Sequence, residues 1–570
     1  MMDILNFLFV YIISGLILSL VIKHLLRESF DTKLSFLLGY GISPLLISLL
    51  LYYLYLFFPG KEWRFYVFII YSIFVILLLI FLKQIKILFS MNIKKITFLI
   101  LNKIKKINVF SKIIVIFILS IVLFSFVRGI IYPNTWIDNF IYLRQGYVYS
   151  YDRSLDRLET RVPFSEFNNN IIAPPEQSFI MNTAVRPALP ILYSFFFKDK
   201  IISEFEYFSV RFIYFYYFLL SIFALYYFLK KNKARALIGV LAFVSCYYVV
   251  AFTIVFNSKE IILTFLSFFS VMLISLIKER DAFAKLKYAI IIGILIGLSI
   301  FINTSGIIIG GILILLFLKE IGITKKVWPL ILTTTLLIVV FSSFEIKGLY
   351  KFILNKNLLS TQNTTATFNS SELQNYKITS ISNTSTINNQ PANASKLSIL
   401  ILGKLQGLTQ VQFYGFLFII FLITLVRTLK NHSLNSVTKN VLLYMGLFFF
   451  IIMDPFFLNP HKYAYVLSIS PKYTVLLTIF AAFFIAYHFN NLIKIQEIKN
   501  RKLFFLISSC LLFFVSIISL ISPFRKILAN ISYSFFLSKI IPLYNDADYY
   551  IKILNNFILT LSILYIRLVA

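Results

Sequence analysis

Apolar runs of about twenty residues recur along the whole chain, and that is the length a helix needs to cross hydrocarbon. Inside a bilayer every backbone N–H and C=O must be satisfied within the protein, so continuous runs of this kind force helices. A membrane β-barrel would show short alternating segments instead. The fold class read from the sequence is therefore an all-α polytopic membrane protein. Composition agrees, with 59% of residues hydrophobic and only 14% charged, where soluble domains carry nearer a quarter. The first run, 4–22, is preceded by Asp3 and lacks the basic start of a signal peptide, so it is read as a retained span.

Hydropathy predicts fifteen spans, near 4–22, 34–57, 65–82, 113–127, 203–229, 236–255, 261–277, 288–302, 305–318, 327–343, 409–426, 440–453, 472–488, 503–521 and 553–569. Residues 288–318 can be drawn as a hairpin or as one bent helix. Charge checks the alternation. Connections 23–33, 83–112, 230–235, 278–287, 319–326, 427–439 and 494–502 fall on one side and hold more than half of the 54 basic residues. By the positive-inside rule that side is cytoplasmic. Lys287 and Lys319 then share the inside, which favours the hairpin. The long connections 128–202 and 344–408, with 454–471 and 522–552, lie outside.

Four regions follow. Residues 1–112 form a three-span module with a basic linker, and 113–343 a membrane core that includes outer loop 128–202. Residues 344–408 form an outer loop rich in Ser, Thr and Asn, and 409–570 the remaining helices. Such a polar loop buries little apolar surface. Its N-x-S/T triplets at Asn363, Asn369, Asn383 and Asn393 are what so Asn-rich a stretch contains by composition. Loop 128–202 has aromatics, Pro174–Pro175 and short apolar runs, and is expected to fold, with helices lying on the membrane surface.

A net charge of +31 would suggest nucleic acid in a soluble protein. Here the basic residues sit in short loops between spans, so topology accounts for them, with attraction to membrane lipids as a second effect. Nucleic acid is not an expected partner. Cys246 and Cys510 both lie in apolar runs and frame no disulfide or metal set. No Walker A loop, G-x-G-x-x-G or H-E-x-x-H is present, and the chain has four histidines.

Attention moves to acids near membrane depth, where ionisable groups are costly. Asp138, Glu260, Glu345 and Asp454 all fall at outer ends of spans. Any of them can simply sit among headgroups. Asp138 and Glu260 have more informative neighbours. After Asp138 the chain reads "DNFIYLRQGYVYSYDR", and later "AVRPALPILYSFFF" enters the fifth span. "FNSKE" makes the next outer turn, "GILIGLSIFINTSGIIIGGILILLFL" the glycine-spaced hairpin, and "SPKYTVLLTIFAAFFIAY" opens the thirteenth span.

This order resembles the GT-C superfamily of membrane glycosyltransferases, closest to the branch of protein O-mannosyltransferases and lipid A aminoarabinose transferases. Asp138 matches the acid of that family's first outer loop and "YLRQG" the helix after it. "RPALP" matches its Pro-Leu segment, Ser258 and Glu260 its acid turn with Lys259 inserted, and "PKY" a late motif with Lys472 in place of Arg. The resemblance covers roughly 115–490. The chain departs from it at Asn303 and Thr304, where many relatives carry Arg-Pro, and in having three spans before the usual first helix.

The resemblance implies a GT-C-like fold with a folded first outer loop, and a polyprenyl-phosphate-linked sugar as donor. The acceptor would be a lipid, a glycan or a protein on the extracytoplasmic face of the plasma or inner membrane. Asp138 is the candidate base and Glu260 a second catalytic or positioning acid. Arg186 and Lys472 lead the candidates for the donor phosphate, followed by Lys259, Arg144, His461 and Lys462. Lys259 and Lys462 can equally anchor at headgroups by snorkelling. Trp136, Tyr142 and Tyr473 are candidate substrate-lining aromatics. With Tyr147 and Tyr149, Trp136 and Tyr142 also fit an interfacial belt. Some relatives use a divalent ion such as Mg or Mn. Asp138 and Glu260 would be its carboxylates, and no other cofactor is expected. Two other classes remain: a polysaccharide polymerase or ligase, and a flippase or transporter. No internal repeat of the transporter kind is evident, and Arg211 is the nearest to a charge within the central spans.

Overall fold

The computed structural model describes residues 2–26, 31–81, 109–131, parts of 142–150, 187–197, 203–230, 232–254, 258–278, 280–303, 305–322, 327–342, 417–453 and 473–489, with single gaps. It is 90% helical and has no strand among the described residues. In chain order the helices are α1 (Met2–Leu26), α2 (Thr32–Phe57), α3 (Trp63–Ile80), α4 (Val109–Ile131), α5 (Ala188–Phe196) and α6 (Glu204–Leu229). They continue as α7 (Lys233–Val244), α8 (Tyr247–Ile254), α9 (Glu260–Ile277), α10 (Ala282–Ile302) and α11 (Ser305–Ile321). The last are α12 (Trp328–Phe341), α13 (Leu417–Lys430), α14 (Ser436–Met453) and α15 (Val475–Tyr487). By length and composition α1, α2, α3, α6, α9 and α10 are long and apolar enough to cross a membrane. Five shorter apolar helices accompany them. The spans expected at 503–521 and 553–569 and the loops 344–408, 454–471 and 522–552 lie outside the described residues.

Helix starts are set by short polar side chains that satisfy the first free N–H groups. Asp31 accepts the Leu34 N–H at 2.7 Å to open α2, and Asp281 accepts that of Ala284 at 2.6 Å to open α10. Ser203 and Glu206 make a reciprocal capping box at α6. The run 236–255, expected as one span, is two helices. α7 ends at Ser245, whose hydroxyl bonds back to the Ala242 carbonyl at 3.0 Å, and the chain resumes as α8. Residues 288–318 form a hairpin, not a bent helix. Asn303 is extended (φ −151°, ψ 152°), the Gly306 N–H bonds its carbonyl at 2.8 Å, and α11 packs back along α10.

Helices α1 and α2 pack into the core. α1 and α2 touch backbone to backbone at Gly39, where a Cβ would fall 2.4 Å from the Ser19 nitrogen. Small residues let membrane helices approach in this way. Tyr11 donates to the Ser209 carbonyl at 2.7 Å, Tyr216 to that of Tyr40 at 2.9 Å and Tyr217 to that of Gly41 at 2.7 Å. These bonds tie α1 and α2 to α6.

Contacts sort the helix ends into two groups. At one end Lys230 pairs with Asp31, Arg235 bonds the Tyr487 carbonyl, Lys319 bonds Asn440, and Asn440 bonds Ser275. Five of the basic connections, at 23–33, 230–235, 278–287, 319–326 and 427–439, join helices at this end. At the other end Trp63 bonds the Phe195 carbonyl, Tyr53 bonds that of Val340, and Tyr52 packs edge-on against Phe301. Glu260 and Asn303 are at this second end.

Candidate functional site

Glu260 is the first residue of α9, and no part of it is exposed. A carboxylate there lies at the positive end of the helix dipole. It also has donors. The Ser258 hydroxyl makes a short bond to Oε2, and the Asn303 side-chain amide reaches Oε1 at 3.5 Å, a long contact. Asn303 stands at the tip of the α10–α11 hairpin, so one buried carboxylate joins the start of α9 to that tip. Leaving such a group without donors inside a protein would be strongly unfavourable. The neighbouring Lys259 is half-buried, with its ammonium 4.9 Å from the centre of the Tyr142 ring, an arrangement in which cation and π-face attract.

Tyr142 belongs to a helical segment, 142–150, that follows the loop acid in sequence. Tyr142, Leu143, Gln145, Tyr147, Tyr149 and Ser150 are all buried. The aromatics of this segment thus pack inside the protein instead of forming an interfacial belt. Gln145 donates to the Tyr149 hydroxyl at 3.4 Å, and burial pushes the pKa of that hydroxyl up. The segment lies directly on α5. A Cβ on Gly146 would come 2.7 Å from that of Tyr193 and 3.0 Å from the Pro190 carbonyl, so only glycine permits the approach.

The described part of the "RPALP" block opens that same α5, a separate helix before α6 and not the start of the fifth span. Helices of loop 128–202 were expected on the membrane surface, yet every residue of α5 is buried. Nine mostly apolar residues with no exposed polar face have no reason to lie at an interface, and the bundle accepts them on several sides. Ser48 bonds the Ala188 carbonyl, Tyr55 meets Ser194 at 2.8 Å, and Trp63 bonds the Phe195 carbonyl at 3.2 Å. Pro190 is tolerated because it falls in the first turn. Tyr193 reaches into the bundle and meets the Tyr214 hydroxyl of α6 at 2.5 Å. Tyr214 is in turn within electrostatic reach of Tyr142 and Glu260.

Four separated sequence blocks therefore converge: "YLRQG", "RPALP", "NSKE" and the hairpin tip. Of the late "PKY" block only Tyr473 is described, and it packs against the core; after it Val475–Leu477 contact α9, and Phe480 and Phe483 meet Phe268 edge-on. Of the candidates read from the sequence, Glu260, Lys259 and Tyr142 are brought together. Asp138, Trp136, Arg144, Arg186, His461, Lys462 and Lys472 lie outside the described residues. Tyr193, Tyr214 and Asn303 were not singled out as site residues. The usable signal for Asn303 was a polar side chain at the tip of an otherwise apolar hairpin. The tyrosines carried none, because 18% of the chain is aromatic.

As the carboxylate stands, both oxygens of Glu260 are engaged and neither faces solvent, which suits a residue that positions others. Among the described residues no three His, Cys, Asp or Glu side chains gather as a metal site, and Asp138, the other carboxylate expected with Glu260, lies outside them. Comparison with family models, curated proteins and solved structures finds no match to this chain.

Proposed function

We propose that the protein is an integral membrane glycosyltransferase of GT-C type, which moves a sugar from a polyprenyl-phosphate-linked donor to an acceptor hydroxyl on the extracytoplasmic face. One observation carries the reading. Described residues of three family-like blocks, from 142 to 260, and the Asn303 hairpin tip, where the chain departs from the family, come together at the end of the bundle that holds the buried carboxylate Glu260, away from the basic connections.

In this reading Asp138 takes the proton of the acceptor hydroxyl. The acceptor oxygen bonds the anomeric carbon, the bond from that carbon to the phosphate oxygen breaks, and the lipid leaves as its phosphate. Cations stabilise the departing charge, arginine by a two-pronged fork and lysine as a point charge. Arg186 and Lys472 are assigned this role, with Arg144, Lys259, His461 and Lys462 as further candidates. Glu260, with Ser258 and Asn303, fixes the turn that presents Lys259. Nucleotide sugars are cytoplasmic, so a site on the outer face needs a donor carried by lipid. That requirement, together with the positive-inside reading, supports a site at the Glu260 end.

The test is reconstitution in proteoliposomes with polyprenyl-phosphate-linked sugars and an envelope lipid and glycan extract as acceptors, following release of polyprenyl phosphate. Turnover is expected, and Asp138→Asn should lower it by about 10²- to 10⁴-fold, the usual worth of a general base. Intact donor under every condition would refute the activity, and full activity in Asp138→Asn would remove the base.

A further inference from the structure

At the end of the bundle away from Glu260, the start of α2, the end of α6 and the start of α10 gather charges and aromatic rings into one cluster. Lys230 lies 2.9 Å from Asp31 and 3.7 Å from the centre of the Tyr227 ring. Tyr227 donates to Asp31 at 3.0 Å. Arg280, just before α10, has its guanidinium 5.6 Å from the centre of the Tyr288 ring. Tyr227 and Tyr288 are within electrostatic reach of each other, of Arg280 and of Asp31, so the three helix ends share one surface. Lys230, Lys233, Lys278 and Arg280 are exposed on it, and Lys285 and Lys287 are half-buried. The acids described there are already engaged. Asp31 accepts from Lys230, Tyr227 and the Leu34 N–H, and Asp281 accepts from the Ala284 N–H. A surplus of positive charge is left, and its self-repulsion is relieved by a bound anion. Orientation by the positive-inside rule needs only the number of basic residues in each connection, not their convergence.

The same surface carries an apolar ring. Phe283, in the first turn of α10, is 68% exposed among these charges. Lys287 follows one turn later on the same face and holds its ammonium 4.4 Å from the centre of that ring. An exposed ring flanked by a cation suits the boundary between headgroups and acyl chains, where the ring meets chains and the ammonium meets phosphate. A soluble anion would use the cations and leave Phe283 in water. The surface therefore fits an anion that brings its own apolar part.

We infer that Arg280, Lys287 and Phe283 form a discrete docking surface for one anionic phospholipid of the cytoplasmic leaflet. Arg280 offers a fork to the phosphate diester, Lys287 a point charge, and Phe283 packs at the level where the acyl chains begin. The lipid is a diacyl component of the surrounding leaflet and not a carrier of sugar. The site lies at the opposite end of the bundle from Glu260 and does not depend on transferase activity.

The test uses the full chain in nanodiscs of phosphatidylcholine with a rising share of phosphatidylglycerol. The readouts are thermal stability, the phosphatidylglycerol share that gives half the stabilisation, and the lipid retained on the protein in native mass spectrometry. Phosphatidylglycerol is expected to stabilise the protein with a dose dependence that saturates, and one lipid is expected to stay bound. Arg280→Gln combined with Lys287→Gln should raise the half-stabilising share by about tenfold or more. Phe283→Ala should raise it several-fold. Arg64→Gln, at the start of α3 on the other end of the bundle, should leave it unchanged. Equal stability with and without phosphatidylglycerol overturns the site. So does a dose dependence that survives the double variant, or one weakened equally by Arg64→Gln, since either marks a general attraction of the whole surface. Glycerol phosphate in solution stabilising as well as the lipid overturns the lipid as occupant. Arg280→Gln, Lys287→Gln and Phe283→Ala, each taken alone, keep the test open where the double variant does not fold.

Discussion

The two ends of the bundle handle charge in opposite ways. At one, Asp31 and Lys230 meet at 2.9 Å with side chains 47% and 41% exposed, and the Lys230 ammonium also sits 3.7 Å from the Tyr227 ring centre. Water screens that pair, and such contacts contribute little to stability. At the other end Glu260 is wholly buried and tied to Ser258 and to the hairpin tip. A membrane protein needs the first arrangement only to fix its orientation. The second is unfavourable for folding unless its groups are satisfied, and Ser258 and Asn303 satisfy it here.

That contrast predicts a gradient of effects. Glu260→Ala removes the acceptor for two buried donors and should lower stability by about 2–4 kcal/mol, whereas Glu260→Gln should keep most of it. Calorimetry or thermal melting in detergent separates the two, and equal melting of Glu260→Ala and wild type would place this carboxylate with the screened charges. Gly146→Val drives a side chain against Tyr193 and the Pro190 carbonyl. It should cost about 1–3 kcal/mol and loosen α5, read as faster proteolysis there. Gly446→Ala, where a Cβ meets nothing within 4 Å, is the matched control and should be silent. Tyr193→Phe breaks a single buried hydroxyl pair and should cost about 1 kcal/mol.

The smallest effect belongs to Asp31. Burial raises its pKa, but bonds from Lys230, the Leu34 N–H and Tyr227 outweigh that and hold the carboxyl below its usual value. A depressed carboxylate pKa stabilises the fold fully above its ordinary range, near pH 4, and the contribution disappears as pH falls through the folded value. Because the group is about half exposed, Asp31→Asn should shift stability by well under about 1 kcal/mol at neutral pH and by nothing in strong acid. Melting curves against pH check the sign. A loss as large as that of Glu260→Ala would erase the distinction between the ends.

Much of this fold could be read from the sequence because membranes constrain it so tightly. Run length located the helices, and the shared side of Lys287 and Lys319 pointed to the hairpin that Asn303 makes. The break at Ser245 escaped notice because hydropathy is blind to a single turn inside an apolar run. α5 was misplaced for a related reason. An apolar nine-residue helix reads the same whether it lies on a bilayer or inside a bundle, and only Ser48, Tyr55 and Trp63 on other helices decide between them. In the site, Glu260 stood out as a rare acid at the end of a span. Tyr193 and Tyr214 did not, because their pairing depends on a contact between residues with no shared pattern.

The most direct test compares the two ends in one assay. Donor turnover in proteoliposomes should fall by about 10²-fold in Glu260→Gln, which keeps the fold but loses the carboxylate charge. Asp31→Asn should retain turnover within about twofold, consistent with a screened surface charge. Equal turnover in both variants would contradict the claim that the Glu260 end is where the reaction is organised.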